Sequence, residues 1–480
     1  MNYRMVIHTV GQVVLVDAGL LTLPLLVCVY YGESAFWGYL FAIAVALALG
    51  SCMTLLFRPK KHVIFAREGF SIVSISWLLL SLISTIPFML SGDIPRFADA
   101  FFESVSGFTT TGASIVPNVE LLARGNLFWR ALTHWIGGMG VLVLVTIISD
   151  KLPDRSMNIL RAEMPGPIVG KLVPKTKDTT RILYTIYIVM TAIMVFLLRI
   201  GGMPLFDSIF HALATAGTGG FNMKADSLAS YSPYLQWVIT VGMLAFGINF
   251  NIYFLVLLRR FSEAVKSIEL RTYLGIAACA TAIITWNISS LYQSFAESIR
   301  HAAFQVSSII TTTGFTSTDY SNWPGLSAAI LLLLTFLGGC AGSTAGGLKV
   351  SRLVILFQML RNEIRRMIHP RSVSVVRYED KVVSEDVQHG TVTYFALYCL
   401  CMVFTFLLLS LEPFSMETNF SATVACFNNV GPGFDMVGPA GNFSAYSDFS
   451  KFVLAFTMLL GRLEIFPLLL ALAPSSWRRS

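Results

Sequence analysis

The sequence predicts an all-α integral membrane protein, and its hydropathy pattern is the first observation that supports this fold class. The chain has 480 residues, of which 55% are hydrophobic and only 13% are charged. A soluble protein of average composition carries about 25% charged residues. Apolar runs of about 20 residues recur along the whole length, and a helix of that length crosses a bilayer. We therefore predict about ten transmembrane helices.

The second observation is that four short glycine-centred stretches interrupt these runs, at intervals of roughly 100 residues. We call them the glycine segments; they are residues 109–113, 217–221, 311–315 and 428–432. Glycine reaches positive φ freely, so the neighbouring carbonyls can turn towards a common axis. Rings of backbone carbonyls replace the water shell of a dehydrated cation. The four segments therefore predict a cation selectivity filter built from one chain.

A half-length helix is expected before each glycine segment, at 97–108, 205–217, 295–311 and 414–428. Such a helix spans about 15 Å, half of the membrane, so it ends near mid-bilayer. In three of the copies Phe102, Phe210 and Phe304 lie ten residues before the central glycine. One such segment alone usually marks a helix break, but four in the same context predict helix–pore-helix–filter–helix repeats around one pore.

The ten crossings are assigned to two groups. An N-terminal pair without a filter is predicted at 9–31 and 35–57, within residues 1–69. The repeats occupy 70–180, 181–271, 272–390 and 391–480. Their full-length helices are predicted at 70–90, 126–149, 182–200, 234–258, 272–292, 325–360, 392–410 and 448–472.

The distribution of positive charge predicts the orientation. Lys and Arg concentrate in the connections after every second apolar run, as with Arg58 and Arg67, Arg259 and Arg260, and Arg365. Cytoplasmic loops carry this excess, so we place both termini in the cytoplasm and the filter mouth outside. The net charge of +7 does not indicate a nucleic-acid partner, because no stretch interleaves basic and aromatic residues.

The filter is assigned residue by residue from these segments. The predicted filter residues are Thr110, Thr111, Gly112, Thr218, Gly219, Gly220, Thr312, Thr313, Gly314, Asn429, Val430 and Gly431. Potassium is expected at Thr111, Gly112, Gly219, Gly220, Thr313, Gly314, Val430 and Gly431. Glu103 and Asp435 flank the first and last segments, where they either raise the local cation concentration or serve as ordinary loop carboxylates.

Residues 338–347 form a second break, inside the predicted helix 325–360. Consecutive glycines cannot hold a straight helix at ordinary cost. We predict a loop across the path below the filter, acting as a gate; the alternative is close helix packing through small residues. The predicted gate residues in this loop are Gly338, Gly339, Gly342, Ser343, Thr344, Gly346 and Gly347.

Arg462 completes the predicted gate, since it lies inside the last apolar helix. A charge at bilayer depth is costly and usually faces a cavity or a partner. Arg462 is expected to hold the loop carbonyls or to place a positive barrier in the cation path; the alternative is a purely structural arginine. Glu464, two residues on, points to another helix face and is not its natural partner.

No catalytic chemistry is indicated. The sequence contains no HExxH, GxSxG or P-loop motif, and no dinucleotide fingerprint that follows a strand. The longest cytoplasmic connection has about 30 residues, too few for a nucleotide-binding domain. We therefore predict no enzyme activity and no organic cofactor, and any nucleotide control requires another chain.

With these motifs in place, the chain resembles the superfamily of Trk, Ktr and HKT potassium transporters. The resemblance rests on the four glycine segments, the GGCAGSTAGGLK loop and the GRLEIFPLL ending. The N-terminal helix pair and the RAEMPGP stretch at 161–167 are similar to the bacterial TrkH type. Ala345 departs from the usual loop, where a glycine is common, and the second segment has the looser form of the family.

The resemblance implies potassium uptake across the bacterial inner membrane by a homodimer with one pore in each protomer. It implies a cytosolic ring of TrkA-type RCK subunits that bind nucleotides, a gating loop at 338–347, and contact between Arg462 and that loop. Gly112 favours potassium, because plant relatives with serine at the first filter glycine transport sodium.

The rival interpretation is a sodium-coupled or sodium-permeable secondary transporter, which also contains discontinuous helices near the midplane. Such a transporter would show inverted repeats and about two broken helices rather than four parallel copies. Whether flux is passive or coupled to protons or sodium stays open at this point.

Overall fold

A computed structural model describes residues 1–59, 66–140, 176–372, 374–379 and 381–474, and most of these residues are helical. The helices of the first half are α1 Tyr3–Leu20, α2 Thr22–Tyr31, α3 Phe36–Leu56, α4 Ala66–Leu90, α5 Phe97–Phe108, α6 Arg124–Met139, α7 Thr176–Ile200, α8 Leu205–Gly217, α9 Pro233–Phe246 and α10 Phe250–Leu257. Those of the second half are α11 Phe261–Lys266, α12 Ile268–Ile288, α13 Phe295–Ile310, α14 Gly325–Thr335, α15 Val350–Ile368, α16 Glu385–Leu409, α17 Met416–Phe427, α18 Asp448–Arg462 and α19 Phe466–Leu472. Strands β1 Arg377–Tyr378 and β2 Lys381–Val382 pair as an antiparallel hairpin.

The described residues contain six helices that are long and apolar enough to cross a membrane, or eight if each of two bent pairs counts as one span. The ten predicted crossings stay a prediction. The loop at 338–347 divides the run predicted at 325–360 into α14 and α15, and residues 141–149 of the run at 126–149 lie outside the described part. The RAEMPGP stretch also lies outside it.

Two helices that we expected to be continuous are bent. The run at 234–258 turns by 92° between α9 and α10, where Asn249 caps α10 by accepting the N–H of Asn251 at 2.9 Å. The run at 448–472 turns by 120° between α18 and α19. Glu464 and Ile465 adopt left-handed φ values of +56° and +65° at that turn, a conformation that a β-branched residue rarely takes. Helical periodicity alone carries no signal for either bend.

The N-terminal helices pack through small residues. A side-chain carbon added at Gly11 of α1 would lie 3.0 Å from the Gly50 carbonyl oxygen of α3, and the reverse distance is also 3.0 Å. The two backbones can approach this closely only because neither position carries a side chain.

The four half-length helices α5, α8, α13 and α17 begin and end within two residues of the predicted positions. Phe102, Phe210 and Phe304, the phenylalanines at the repeated position, are each fully buried. The half-length helices are thus wrapped by the longer ones and form the centre of the molecule, where their C-terminal carbonyl ends carry a partial negative charge.

Candidate functional site

Each half-length helix ends in the same backbone turn. After α5, the N–H of Thr110 donates to the Gly107 carbonyl at 3.1 Å, and the N–H of Thr111 donates to Ser106 at 2.9 Å. The same two bonds recur at Thr218 and Gly219, at Thr312 and Thr313, and at Asn429 and Val430. This is the Schellman arrangement of a helix C-terminus. These bonds satisfy two N–H groups of each glycine segment through the preceding helix, and they do not use the carbonyls of those two residues.

The residue that turns each helix is unusual for its position. Thr110, Thr218, Thr312 and Asn429 have φ between +52° and +56°, where a Schellman turn normally has glycine. The left-handed conformation costs a residue with a side chain roughly 1–2 kcal/mol. Strain of this kind persists where the surrounding structure requires it and concentrates at functional sites. Its repetition at four equivalent positions marks the segments as one site.

The central glycine of each segment adopts a φ between +76° and +97° and abuts the next segment. A side-chain carbon at Gly112 would lie 2.0 Å from the carbonyl oxygen of Gly219. The corresponding distances are 1.9 Å from Gly220 to Thr313, 2.0 Å from Gly314 to Val430, and 2.6 Å from Gly431 to Thr111. The first segment therefore contacts the second, the second contacts the third, the third contacts the fourth, and the fourth contacts the first. The twelve predicted filter residues therefore meet in one closed ring.

Hydroxyl groups brace two opposite segments in the same way. Thr109 and Thr111 share a hydrogen bond of 2.7 Å between their Oγ1 atoms, and Thr311 and Thr313 repeat it at 2.7 Å. In the fourth segment Asn428 and Val430 occupy these two positions, and Asn429 between them donates from Nδ2 to the Thr111 hydroxyl at 3.0 Å. The fourth segment is thereby tied to the first, which closes the ring through side chains as well as through backbone.

A cavity of about 110 Å³ opens beside the ring, on the side of the residues that follow the glycines. All four central glycines line it. Asp435 lies exposed nearby and accepts hydrogen bonds from the hydroxyls of Thr418 and Ser415. These bonds hold the pKa of the Asp435 carboxyl below its ordinary value, so it is charged at neutral pH.

Glu103, the other flanking carboxylate, does not face open solvent. It is fully buried and forms an ion pair with Arg130 of α6, with 2.7 Å between Nη2 and Oε1. Glu103 also accepts the N–H of Ile115 at 3.0 Å, and Arg130 donates to the Asn222 carbonyl at 3.2 Å. The pair braces the stretches that follow the first two glycine segments. Glu103 is therefore a buried, paired carboxylate within α5, which differs from the solvated loop carboxylate considered from the sequence.

The 338–347 loop lies on the opposite side of the ring, against the residues that precede the glycines. Its two stems pair, since the N–H of Gly338 donates to the Leu348 carbonyl at 2.8 Å. The N–H of Gly346 donates to the Thr312 hydroxyl at 2.7 Å, which joins the loop directly to the third glycine segment. All seven predicted gate residues of this loop lie in this one element, and only Gly342 and Gly347 are more than one-tenth exposed.

Arg462, the eighth predicted gate residue, donates four hydrogen bonds that join three parts of the site. Nη1 donates to the Thr344 carbonyl of the loop at 2.9 Å and to the Thr110 hydroxyl at 3.2 Å. Nη2 donates to the carbonyls of Gly137 and Gly138 at the end of α6, at 2.5 and 2.8 Å. The guanidinium thus links the loop, the first glycine segment and α6.

Glu464 has a partner other than Arg462, as the helix spacing indicates. It forms a partly buried ion pair with Arg352 of α15, in which Nη1 and Oε1 are 3.1 Å apart. The Arg352 guanidinium also stacks 3.8 Å above the ring of Tyr394. This pair fastens the turn between α18 and α19 to the helix that leaves the loop.

Three buried polar residues at the site were not among the predicted residues that bind the ion or the loop. Lys349 donates from Nζ to the Ala345 carbonyl, and Glu269 of α12 accepts the N–H of Ala341 at 2.7 Å. His134 of α6 accepts the N–H of Phe221 at 3.2 Å. Of these three, His134 lies in an apolar run, where an ionisable residue at bilayer depth is a signal that the sequence carries. Lys349 and Glu269 each have an arginine two or three residues on, so neither is isolated in the sequence.

The fold and the site together define a multi-span membrane protein with a candidate ion path at its centre. The model of the TrkH family, described as a cation transport protein, matches residues 39–479. The chain is 35% identical to the Trk system potassium uptake protein TrkH of Escherichia coli K12, over the whole of both chains. It is 33% identical to the TrkG protein of that organism, over 99% of each.

A solved structure agrees with these relatives. The crystal structure of the potassium transporter TrkH from Vibrio parahaemolyticus superimposes with a TM-score of 0.89 at 31% identity, covering all of both chains. The chain belongs to the TrkH family of cation transport proteins, which confirms the resemblance found in the sequence.

Proposed function

We propose that this protein takes up potassium across the bacterial inner membrane through the ring of glycine segments. The observation that carries the proposal is the closed order of contacts among Gly112, Gly220, Gly314 and Gly431. A closed ring of turned backbones can offer carbonyl oxygens to a dehydrated cation from every side. The relatives named as potassium uptake proteins support potassium as the transported ion.

The ion sites follow from the ring. Potassium is coordinated by carbonyls of Thr111, Gly112, Gly219, Gly220, Thr313, Gly314, Val430 and Gly431. Their N–H groups, or those of the residues beside them, are bonded to the half-length helices, so the carbonyls are free to face the ion. The partial negative charge at the ends of those helices adds to the attraction for a cation.

The 338–347 loop, held by Arg462, is the gate in this proposal. The loop contacts a residue of the ring that precedes a central glycine, and this contact supports a position across the path below the ring. Consecutive glycines let such a loop change shape at low steric cost. Support for a closed state comes from the four hydrogen bonds of Arg462, which a displaced loop would lose in part.

The remaining parts of the proposal concern assembly. The protein is a homodimer with one pore in each protomer, and a cytosolic TrkA-type RCK subunit supplies nucleotide control. Both termini are cytoplasmic, and K⁺ is the transported ion. The N-terminal pair occupies 1–69, and the four repeats occupy 70–180, 181–271, 272–390 and 391–480. The absence of a nucleotide-binding motif in the sequence supports a separate regulatory chain.

A sodium-coupled transporter is the second candidate, and one observation favours it. The described residues include two bent helix pairs, with angles of 92° and 120°, and broken helices at the midplane are typical of secondary transporters. The first bend, however, is hydrogen-bonded to the 338–347 loop, and the second bend directly follows Arg462. Both bends therefore also fit a gated pore.

The test is growth of a bacterium that lacks its potassium uptake systems, in low-potassium medium. Cells that express this chain with a TrkA-type subunit should grow, and cells that carry an empty vector should not. Rubidium uptake by the same cells, with and without external sodium, separates the two candidates. Uptake that requires sodium would favour the sodium-coupled transporter and contradict potassium uptake through the ring alone.

A further inference from the structure

A single buried carboxylate holds both ends of the 338–347 loop. Oε1 of Glu269 accepts the N–H of Ala341 at 2.7 Å and the N–H of Ser351 at 3.1 Å. Ala341 lies near the start of the loop, and Ser351 is in the first turn of α15, just after the loop ends. Glu269 is only 1% exposed, so both bonds form away from water.

The position of this carboxylate has a physical reason. The first N–H groups of a helix lack partners within the helix, and an anion is favourable there. Lys349, which caps α15, supplies no side-chain acceptor to that turn. Glu269 therefore acts as the cap of α15 from another helix, and the same oxygen restrains the loop.

The carboxylate is also in contact with the β1–β2 hairpin. The phenol of Tyr378 lies against Glu269 and is itself 6% exposed. Next to it in the hairpin, Glu379 accepts the backbone N–H of Glu269 at 3.3 Å and the Ser267 hydroxyl at 2.7 Å. Tyr378 and Glu379 of the hairpin therefore both contact the start of α12, where Glu269 lies.

The hairpin is fastened to the helix that leaves the loop as well. Gln358 of α15 donates to the Arg377 carbonyl at 2.8 Å and accepts the Arg377 N–H at 3.0 Å. Val376 and Val383 beside the strands are buried. The hairpin, α15 and the start of α12 thus form one connected unit. Glu269 joins this unit to the loop, in addition to the chain itself and the N–H of Val350, which donates to the Gly339 carbonyl at 3.3 Å.

We propose that Glu269 is a positioning residue that fixes the 338–347 loop and transmits displacement of the β1–β2 hairpin to it. This inference rests on the proposed gating role of the loop. A force that moves the hairpin pulls on Tyr378 and Glu379, shifts the carboxylate and weakens its bonds to Ala341 and Ser351. The loop then loses one of the restraints that keep it across the path.

The test is rubidium uptake into proteoliposomes that contain the full-length chain, at equal protein content. Glu269→Ala should raise basal uptake about tenfold, the scale of one charge-assisted hydrogen bond. Tyr378→Phe should raise it less, because Glu269 keeps its bonds to the loop. Glu263→Ala is the matched control, since Glu263 is a solvent-exposed carboxylate near the same end of α12, and it should leave uptake unchanged.

The double variant Glu269→Ala, Tyr378→Phe tests whether displacement of the hairpin reaches the loop through Glu269 or whether the two side chains affect uptake independently. If Tyr378 acts through Glu269, Tyr378→Phe adds nothing in the Glu269→Ala background, whereas independent packing effects would multiply and overturn the proposal. Glu269→Gln keeps an acceptor oxygen and should recover most of the closure. Equal uptake by the Gln and Ala variants would also overturn it.

Two further outcomes are decisive. If Glu269→Ala does not fold, Tyr378→Phe remains the test, and wild-type uptake by that variant contradicts the proposal. If Arg462→Ala raises uptake while Glu269→Ala folds and does not, then this inference fails and the gate stands. If neither raises uptake, the gating role itself is wrong.

Discussion

Arg462 donates a hydrogen bond of 2.9 Å to the carbonyl oxygen of Thr344, although 118 residues separate them in the sequence. The same guanidinium reaches the Thr110 hydroxyl and two carbonyls at the end of α6. Because the guanidinium is planar and always charged, it can serve several acceptors in a fixed geometry. The loop is therefore held against the glycine segments by one side chain that cannot be neutralised.

Arg462→Ala should raise basal ion flux about tenfold in the absence of a regulatory subunit. Each hydrogen bond to a charged group contributes roughly 1.5–3 kcal/mol, so the loss of the bond to Thr344 favours the displaced loop by at least one factor of ten. Rubidium uptake into proteoliposomes measures the change. Arg361→Ala is the control, because Arg361 lies exposed on α15 and should leave uptake at the wild-type level. Unchanged flux in a folded Arg462→Ala protein would place the gate elsewhere.

Removal of a few residues from 341–346 should also raise basal flux. A shorter loop loses the bond from Gly346 to Thr312 and no longer crosses beneath the ring. The deletion and Arg462→Ala act on the same closed state, so their combination should exceed the larger single effect only slightly. Single-channel or uptake measurements on all three proteins decide this. A deletion that folds and conducts no more than wild type would mean that the loop serves packing.

Gly112→Ser should admit more sodium relative to potassium. A side-chain carbon at this position would lie 2.0 Å from the Gly219 carbonyl oxygen, and the φ of +76° disfavours any side chain. The ring must therefore open or deform between its first two segments, which changes the carbonyl geometry that selects the ion. Reversal potentials in mixed potassium and sodium solutions report the ratio.

The control for that measurement is Gly275→Ser, because Gly275 faces open space on α12 and nothing lies within 4 Å of an added carbon. It should retain the wild-type reversal potential. Identical potentials for wild type and Gly112→Ser would count against the ring as the selectivity filter.

Nucleotide should alter flux only when a TrkA-type subunit is present. The chain has no phosphate-binding motif of its own, so the energy of nucleotide binding must enter through a second protein. Co-purification with the cognate subunit, followed by uptake assays with and without nucleotide, tests the dependence. A response of the purified chain alone would contradict it.

Arg130→Ala should lower the stability of the folded protein strongly, because it leaves the buried Glu103 carboxylate without its partner. Breaking a buried ion pair by removing one side costs about 3–5 kcal/mol. The double variant Glu103→Gln, Arg130→Met removes both charges and should lose less. Melting temperatures in detergent give the comparison, and equal destabilisation of the single and double variants would show that the pair is not the source.

The helical class, the half-length helices and the glycine segments could be read from the sequence because they depend on local composition and spacing. The repeated phenylalanines at 102, 210 and 304 mark positions that are buried in every copy. The bends after Phe246 and Arg462 could not be read in this way. Asn249 lies at the first turn and Arg462 and Glu464 at the second, but polar residues within an apolar run indicate a buried polar contact and do not specify a change of direction.

The sequence by itself determined that the chain is a membrane protein with four glycine segments and that Arg462 needs a partner at bilayer depth. Both follow from the cost of placing polar groups in hydrocarbon, which each residue carries wherever it lies. Only the tertiary structure decided which residues contact Arg462 and which residues contact each glycine segment. The contacts of the closed ring and the hydrogen bond from Ala341 to Glu269 join residues from distant parts of the chain. Such pairings depend on how the helices pack in three dimensions, which no local pattern of residues specifies.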